Sequence, residues 1–111
     1  MRLGGFEPTT GAVPDDLNAE IEAAFTNVSE VIKHALSSSH PSLDNGWDKV
    51  FHITSYHVNL DQTRDEVLRC MLEQAKKWCP KHKPTWTLIG VDKLALPTMR
   101  VEVEVRAYAG A

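Results

Sequence analysis

The sequence predicts an α+β domain in which one sheet is layered on two helices. Two stretches carry apolar residues at helical spacing, and three are rich in β-branched residues, the last with strict alternation. They follow one another as helix, strand, helix, strand, strand with short links. A chain of 111 residues has room for one hydrophobic core, so residues 1–111 are expected to form a single domain.

The first helix is predicted over residues 17–36. Its apolar residues form one stripe: Leu17, Ile21, Ala24, Phe25, Val28, Val31, Ile32, Ala35 and Leu36. Asp15 or Asp16 can accept hydrogen bonds from the first backbone amides of the helix. The segment 4–14 is rich in glycine, proline and threonine and is predicted to be an ordered loop, as is the connecting segment 37–46.

The first predicted strand covers residues 50–58. It is rich in β-branched and aromatic side chains, and both of its alternating faces carry apolar character. We therefore expect a central strand that is covered on two sides. One of its faces carries His52, Thr54, Tyr56 and Val58. Packing against other copies of the chain would protect that face.

A second helix is predicted to begin at a capping box. Thr63 and Glu66 have the spacing that lets each side chain accept from the backbone amide of the other. Apolar residues continue at helical spacing as far as Trp78, and Pro80 cannot extend the helix. The helix should therefore end near Trp78 or Cys79.

Residues 85–91 and 99–108 are predicted to form the last two strands. In the second of them, Val101, Val103, Val105 and Ala107 alternate with Arg100, Glu102, Glu104 and Arg106. The aliphatic side should meet the helices. Four unpaired charges cannot lie in a dry core, so the charged side must meet water, another subunit or a ligand.

Composition narrows the classes of function. Twelve basic and fifteen acidic side chains give a net charge of −3, which argues against a generally cationic surface for nucleic acid. The two cysteines, Cys70 and Cys79, are too few for a disulfide framework and suit a reducing compartment. No segment is apolar enough for a membrane span or a secretory signal, so we expect a cytoplasmic protein with no membrane partner.

Several segments together resemble the Rid or YjgF family, whose members are also called L-PSP endoribonucleases. The segments are residues 11–17, which lead into the first helix, residues 24–28 within it, the strand 50–58, the entry 84–87 to the next strand, and residues 100–107. The last segment is similar to the family's C-terminal signature, in which two glutamates alternate with aliphatic residues before an alanine. The resemblance implies a chorismate-mutase-like subunit, with a mixed sheet on two helices, that assembles as a homotrimer with clefts between subunits.

The resemblance also implies a reaction, the hydrolysis of enamine or imine intermediates to a keto acid and ammonia. Family members pair an arginine with the substrate carboxylate, and a glutamate of the last strand lies near the hydrolytic water. Glu102 falls on that glutamate. Trp86 falls on the arginine position, and an indole offers one donor and no charge, which calls arginine-dependent deamination into question.

The chain departs from the family a second time at its start. Family members carry a longer segment before the glycine-rich loop, which forms an early hairpin, whereas only residues 1–6 stand there in this chain. We therefore expect a shortened N-terminal hairpin, because either the chain is truncated or the sheet lacks strands. An absent hairpin would leave one sheet edge open to pairing.

The predicted site combines one catalytic residue with several binding residues. These are Glu102 as the catalytic residue, and Trp86, Tyr56, His52 and Arg100 as substrate-binding residues, with no metal or cofactor. Each has a plain alternative. Trp86 can pack against Trp47 or a neighbouring subunit. Glu102 can form a salt bridge with Arg100 or Arg106, and structural hydrogen bonds are the alternative for the histidine and the tyrosine.

Two further clusters are weaker candidates. Cys79 and His82 lie close in sequence, but no second pair of ligands accompanies them, which argues against zinc. A basic patch consists of Lys76, Lys77, Lys81 and Lys83. It lacks the repeated aromatic residues of a nucleic-acid surface, so a solvated helix end is the simpler interpretation.

Two functions remain in view. The first is a homotrimer whose inter-subunit clefts bind a small planar or aromatic metabolite. The alternative is an enamine or imine hydrolase in which Glu102 orients water without the arginine. A ribonuclease or a ligand-free interaction protein ranks below both, and the sequence leaves open whether the protein is an enzyme.

Overall fold

The fold is a mixed sheet of four strands with two helices packed on one face. The computed structural model describes residues 2–36 and 45–108. Its elements are β1 (Arg2–Gly4), α1 (Leu17–Leu36), a 3₁₀ turn (Trp47–Lys49), β2 (Val50–Val58), α2 (Leu60–Trp78), β3 (Thr85–Val91) and β4 (Val101–Ala107). The strand order is β1-β4-β2-β3. β2 and β3 are parallel and joined by α2, whereas β4 is antiparallel to both of its neighbours. The predicted α+β class is confirmed, and β2 is a central strand as expected.

Helix α1 has the predicted bounds. At its start, the carboxylate of Asp16 accepts a hydrogen bond from the amide of Ala19 at 3.2 Å. Most of the predicted apolar stripe is buried, but Val31 and Ala35 are exposed at the margin of the stripe. The predicted connecting loop lies outside the described residues as far as residue 44.

Helix α2 begins earlier than the sequence predicts, and the predicted capping box is wrong. Asn59 adopts a left-handed conformation (φ 59°, ψ 35°) that leads directly from β2 into the helix without a side-chain cap. Asparagine tolerates this conformation better than most residues. Thr63 therefore lies inside the first turn, where its hydroxyl donates to the Asn59 carbonyl at 3.0 Å. The helix ends at Trp78, as predicted.

Strand β4 is shorter than predicted because Arg100 does not join the alternation. The strand begins at Val101, and its aliphatic side chains are buried towards the helices as expected. Arg100 turns towards α1 instead, where its Nε donates to the Glu20 carboxylate at 2.7 Å. The prediction that Arg100 shares the charged side with Glu102 is therefore wrong.

The predicted N-terminal loop begins later than expected, because residues Arg2–Gly4 form a strand. β1 pairs with β4 from Arg2 opposite Glu104 to Gly4 opposite Glu102. It therefore covers part of the sheet edge that a missing hairpin would leave open. Gly5 then passes so close to α1 that an added Cβ would lie 1.8 Å from the Glu20 carbonyl oxygen. Only glycine fits at that crossing.

The core between sheet and helices is centred on Trp47, which is completely buried. Its ring stacks on Phe25 with the centroids 4.8 Å apart, and its indole N–H donates to the Phe25 carbonyl at 3.1 Å. Trp78 lies beside it at 6.5 Å. Among the described residues no ring contact joins Trp86 to Trp47, so the alternative that these two pack together is not observed.

Candidate functional site

The sheet has two chemically different faces, and the predicted site residues are divided between them. Glu102 pairs with Tyr56 in the β4–β2 register, on the face turned away from the helices, which we call the open face. Trp86 pairs with Ile53, whose buried side chain faces the helices. Within one subunit, Glu102 and Trp86 therefore lie on opposite sides of the sheet. A cleft that contains both would have to take them from different subunits.

Glu102 is held on the open face by Arg2. The Nε of Arg2 donates to the Glu102 carboxylate, and Glu102 is only 9% exposed. The guanidinium of Arg2 also lies over the Tyr56 ring, 3.7 Å from its centroid. Glu102 therefore forms a salt bridge, as the alternative interpretation predicts. Its partner is Arg2, however, and not Arg100 or Arg106.

Tyr56 connects this pair to a second carboxylate. Its hydroxyl donates to Oε1 of Glu104 at 2.9 Å. This hydrogen bond raises the pKa of Tyr56 above its ordinary value, because an ionised phenol would lose the bond and face the carboxylate. The open face thus carries a continuous chain of partnered polar groups from Arg2 through Tyr56 to Glu104.

His52 lies on the open face beside the edge strand β3. Its Nδ1 is 2.6 Å from the Thr85 hydroxyl, and its Nε2 is 3.1 Å from the Thr54 hydroxyl. Both ring nitrogens are therefore engaged within the sheet. His52 and Tyr56 share one face, as the sequence predicts, whereas His57 is buried against the helices.

Arg100 stabilises the junction between β4 and α1. Glu20 is completely buried, and its carboxylate accepts from the backbone amides of Arg100 and Val101 at 2.7 and 3.2 Å as well as from the Arg100 side chain. The guanidinium also donates to two backbone carbonyls of the loop before α1. The contacts of the Arg100 side chain with the described residues are structural ones, so its substrate-binding role stays a prediction.

Trp86 lines a cavity of about 630 Å³ between α2, the turn that follows it, and β3. We call it the Trp86 cavity. Its apolar wall includes Phe25, Ile53, Met71 and Leu72, and its lysines are Lys76, Lys81 and Lys83. Small-molecule sites typically have volumes of roughly 300–1,000 Å³ and mostly apolar walls. The cavity therefore has the size and lining of a site for a small ligand.

A buried hydrogen-bond chain fixes the polar edge of the Trp86 ring. The indole N–H donates to Oγ of Ser55 at 2.8 Å, and the same oxygen lies 2.8 Å from Nε2 of His57. One hydrogen bond joins Ser55 Oγ and His57 Nε2, and its donor depends on the tautomer of the imidazole, whose buried Nδ1 has no hydrogen-bond partner among the described residues. Burial lowers the pKa of His57 to about 4, which keeps the ring neutral at physiological pH.

The thiol and imidazole near the cavity show no sign of activation. Burial raises the pKa of Cys79 to about 11, so its thiolate is disfavoured. His82 has its Nε2 2.9 Å from the Val50 carbonyl. Within residues 2–36 and 45–108, no group of three or more histidine, cysteine or acidic side chains is arranged to hold a metal ion.

Sequence reasoning missed two residues that shape the two faces, Ser55 and Arg2. Ser55 and His57 share the alternation of Ile53, so two polar residues on a buried strand face were the available signal for the chain beneath Trp86. Arg2 carried no such signal. Its role depends on β1, a strand of three residues that has no periodicity to read.

The chain matches a known protein family over nearly its whole length. A model of the endoribonuclease L-PSP family matches residues 3–109, which is nearly the whole chain. The chain belongs to this family, the Rid or YjgF family that its sequence resembles. No functionally curated protein matches the chain in sequence.

Solved structures of Rid-family proteins have the same fold. YyfB from Yersinia pestis, described as a member of the conserved Rid family, superposes with a TM-score of 0.77 at 20% identity, covering 96% of this chain and 73% of that one. E. coli TdcF with bound serine gives 0.76 at 18% identity, covering 96% and 76%. Rv2704 from Mycobacterium tuberculosis, a member of the YjgF/YER057c/UK114 family, gives 0.71 at 18% identity, covering 97% and 75%. At these identities the likeness concerns the fold.

Neither α1 nor α2, the helices of the described residues, is long and apolar enough to span a membrane.

Proposed function

We propose that this Rid-family protein binds a small planar metabolite against the ring of Trp86. The observation that supports this proposal is that the indole N–H of Trp86 donates a hydrogen bond to Oγ of Ser55 at 2.8 Å. Because its only donor is engaged by Ser55, Trp86 offers the cavity an aromatic ring and no hydrogen-bond donor for an anionic group. Stacking on such a ring suits a flat ligand.

The same observation argues against arginine-dependent deamination. In the family pattern, an arginine at the position of Trp86 holds the substrate carboxylate with two parallel hydrogen bonds. An indole cannot make that contact, and the one donor it has is already partnered. A carboxylate in this cavity would need a different cation.

We further propose that copies of the chain associate across the open face, as a homotrimer. Neither described helix covers this face, yet it carries an ordered chain of partnered polar groups and the side chain of Ile89, which is 38% exposed. A large partly apolar sheet face of this kind is protected by subunit contacts.

Hydrolysis of an enamine or imine with Glu102 is the second candidate. The observation that favours it is that Glu102 is nearly buried while, among the described residues, only one of its two carboxylate oxygens has a hydrogen-bond partner. The other oxygen is available to orient a water molecule.

We also propose that the protein works in the reducing cytoplasm and does not bind nucleic acid. Both cysteines are free and buried. In the basic patch, Lys77 is engaged with Glu22 at 3.8 Å and lies 5.3 Å from the centroid of the Trp78 ring. A loss of salt-sensitive RNA binding on neutralising Lys76 and Lys77 would contradict this proposal.

Binding to the Trp86 cavity is tested by calorimetry with a neutral flat probe, 2-naphthamide. We expect saturable binding that weakens about tenfold in Trp86→Leu, which is the loss of roughly 1.4 kcal/mol of stacking and contact. The matched control is Leu96→Ala, an exposed residue on the loop after β3 that does not line the cavity. Equal affinity in the wild type and Trp86→Leu would refute the proposed site.

Hydrolysis is tested by coupling a pyridoxal-phosphate dehydratase to keto-acid release. The binding proposal predicts that the wild-type protein does not accelerate release, and that Trp86→Arg gains activity. Acceleration by the wild type that disappears in Glu102→Gln would instead establish the second candidate.

Assembly is tested by the molar mass in light scattering. We expect three times the chain mass for the wild type and for Leu96→Lys, and dissociation for Ile89→Lys, which places a charge on the open face. A monomeric wild-type protein would refute the assembly.

A further inference from the structure

We infer that the natural ligand of the Trp86 cavity is an aromatic carboxylate, held with its flat body against Trp86 and its anionic group among Lys76, Lys81 and Lys83. This inference rests on the proposed function and adds the charge of the ligand to it. It depends on the distribution of charge around an otherwise apolar cavity.

The cavity is divided into an apolar interior and a cationic rim. Met71 and Ile53 are buried, with 2% and 3% of their surfaces exposed, and they form the interior together with Phe25. The three lysines of the lining are exposed, and no acidic residue lines the cavity. Lysine stems can cover apolar surface while their ammonium groups stay at the rim.

These lysines have no acidic partner within residues 2–36 and 45–108. Ion pairs between described residues join Arg2 to Glu102, Arg69 to Glu73, Lys77 to Glu22 and Arg100 to Glu20. Lys76, Lys81 and Lys83 belong to none of them. Lys77, which does have a partner, does not line the cavity. Lys33, Lys49 and Lys93 also belong to none of these pairs, so what distinguishes Lys76, Lys81 and Lys83 is that all three line one cavity whose lining has no acidic residue.

The dipole of α2 explains only one of the three cavity lysines. The carboxyl end of a helix carries partial negative charge, which favours lysines in the last turn, as at Lys76. Lys81 and Lys83 lie beyond the helix end at Trp78, on the turn that closes the cavity. The same dipole would disfavour an anion next to the helix end, so an anionic ligand requires these lysines.

A flat body with one anionic group satisfies both parts of the cavity. Apolar rings can occupy the interior, where polar groups would lose their hydration without gaining partners. A carboxylate at the rim can accept charge-assisted hydrogen bonds from the ammonium groups. The volume of about 630 Å³ leaves room for two fused rings and their substituent.

The test compares 2-naphthoate with 2-naphthamide, which share the ring system and differ in charge. In calorimetry at low salt we expect the wild type to bind the carboxylate about tenfold more tightly than the amide. The variant K76Q/K81Q/K83Q should lose this preference and keep the affinity for the amide. The control K33Q/K49Q/K93Q removes the same net charge from residues outside the cavity lining and should keep the preference.

The outcomes separate the inference from the proposed function. If the amide binds as well as the carboxylate in the wild type, the inference fails and the planar-ligand proposal stands. If both triple variants lose the preference equally, the effect belongs to net charge and the inference fails. If neither probe binds, the proposed function fails, and the inference fails with it.

Discussion

The two faces of the sheet carry side chains of opposite character, although these side chains come from the same strands. On the helix face, β2 and β4 contribute buried aliphatic side chains that pack with Trp47 and Phe25. On the open face, the intervening residues are Glu102, Tyr56 and Glu104, each paired with a polar neighbour. The helix face therefore carries the free energy of folding, whereas the open face holds polar groups at fixed positions at little gain in stability. The experiments below test that division.

The largest loss of stability is expected from Trp47→Ala on the helix face. The ring is completely buried and stacked on Phe25, so its removal leaves a large cavity. We expect the free energy of unfolding to fall by about 3–5 kcal/mol in urea denaturation. Phe51→Ala, which removes an aromatic ring that is 54% exposed, should cost far less. Comparable losses in the two variants would contradict the assignment of the core.

The next largest loss is expected from Glu20→Gln, at the junction of β4 and α1. The variant leaves the Arg100 guanidinium without the buried carboxylate that it now meets at 2.7 Å. We expect a loss of about 3 kcal/mol in the free energy of unfolding. Glu22→Gln is the matched control, because that side chain is 56% exposed on the same helix and should change stability by no more than about 0.5 kcal/mol. Equal effects would mean that the junction is not a buried ion pair.

Acid should destabilise the helix face through His57. Its pKa is lowered from 6.5 to about 4 in the folded protein, so between these values the unfolded chain binds a proton that the folded chain does not. Stability is therefore complete above pH 6.5 and decreases as the pH falls towards 4. We expect a loss of about 2–3 kcal/mol between pH 7 and pH 4.5 in urea denaturation. His57→Leu should remove most of this slope, and an unchanged slope would show that another group is responsible.

The smallest effect is expected on the open face, at Tyr56. Its pKa is raised chiefly by the hydrogen bond to Glu104. In a Tyr108→Phe background, where Tyr56 is the remaining tyrosine, spectrophotometric titration should give a pKa that falls back towards its ordinary value when Glu104 is changed to Gln. A titration that does not respond to Glu104→Gln would mean that the hydrogen bond is absent in solution.

The sequence predicts the helix face well because burial leaves a periodic trace. The stripe of α1 and the alternation of Val101, Val103 and Val105 identify both the elements and the side that each buries. The predicted start of α2 is wrong, because the left-handed Asn59 begins the helix without a side-chain cap and such a residue leaves no sequence motif. The site is harder to predict than the helix face. Arg2 contacts Glu102 although the two residues lie far apart in sequence, and local periodicity carries no information about such a pair.

The central claim is that a flat ligand lies against Trp86 on the helix face, and side-chain NMR during a titration with 2-naphthamide tests it most directly. We predict saturable shifts of the Trp86 ring and of the Met71 methyl group, while the Tyr56 ring is unaffected. Shifts at Tyr56 with none at Trp86 would contradict the claim and move the ligand to the open face.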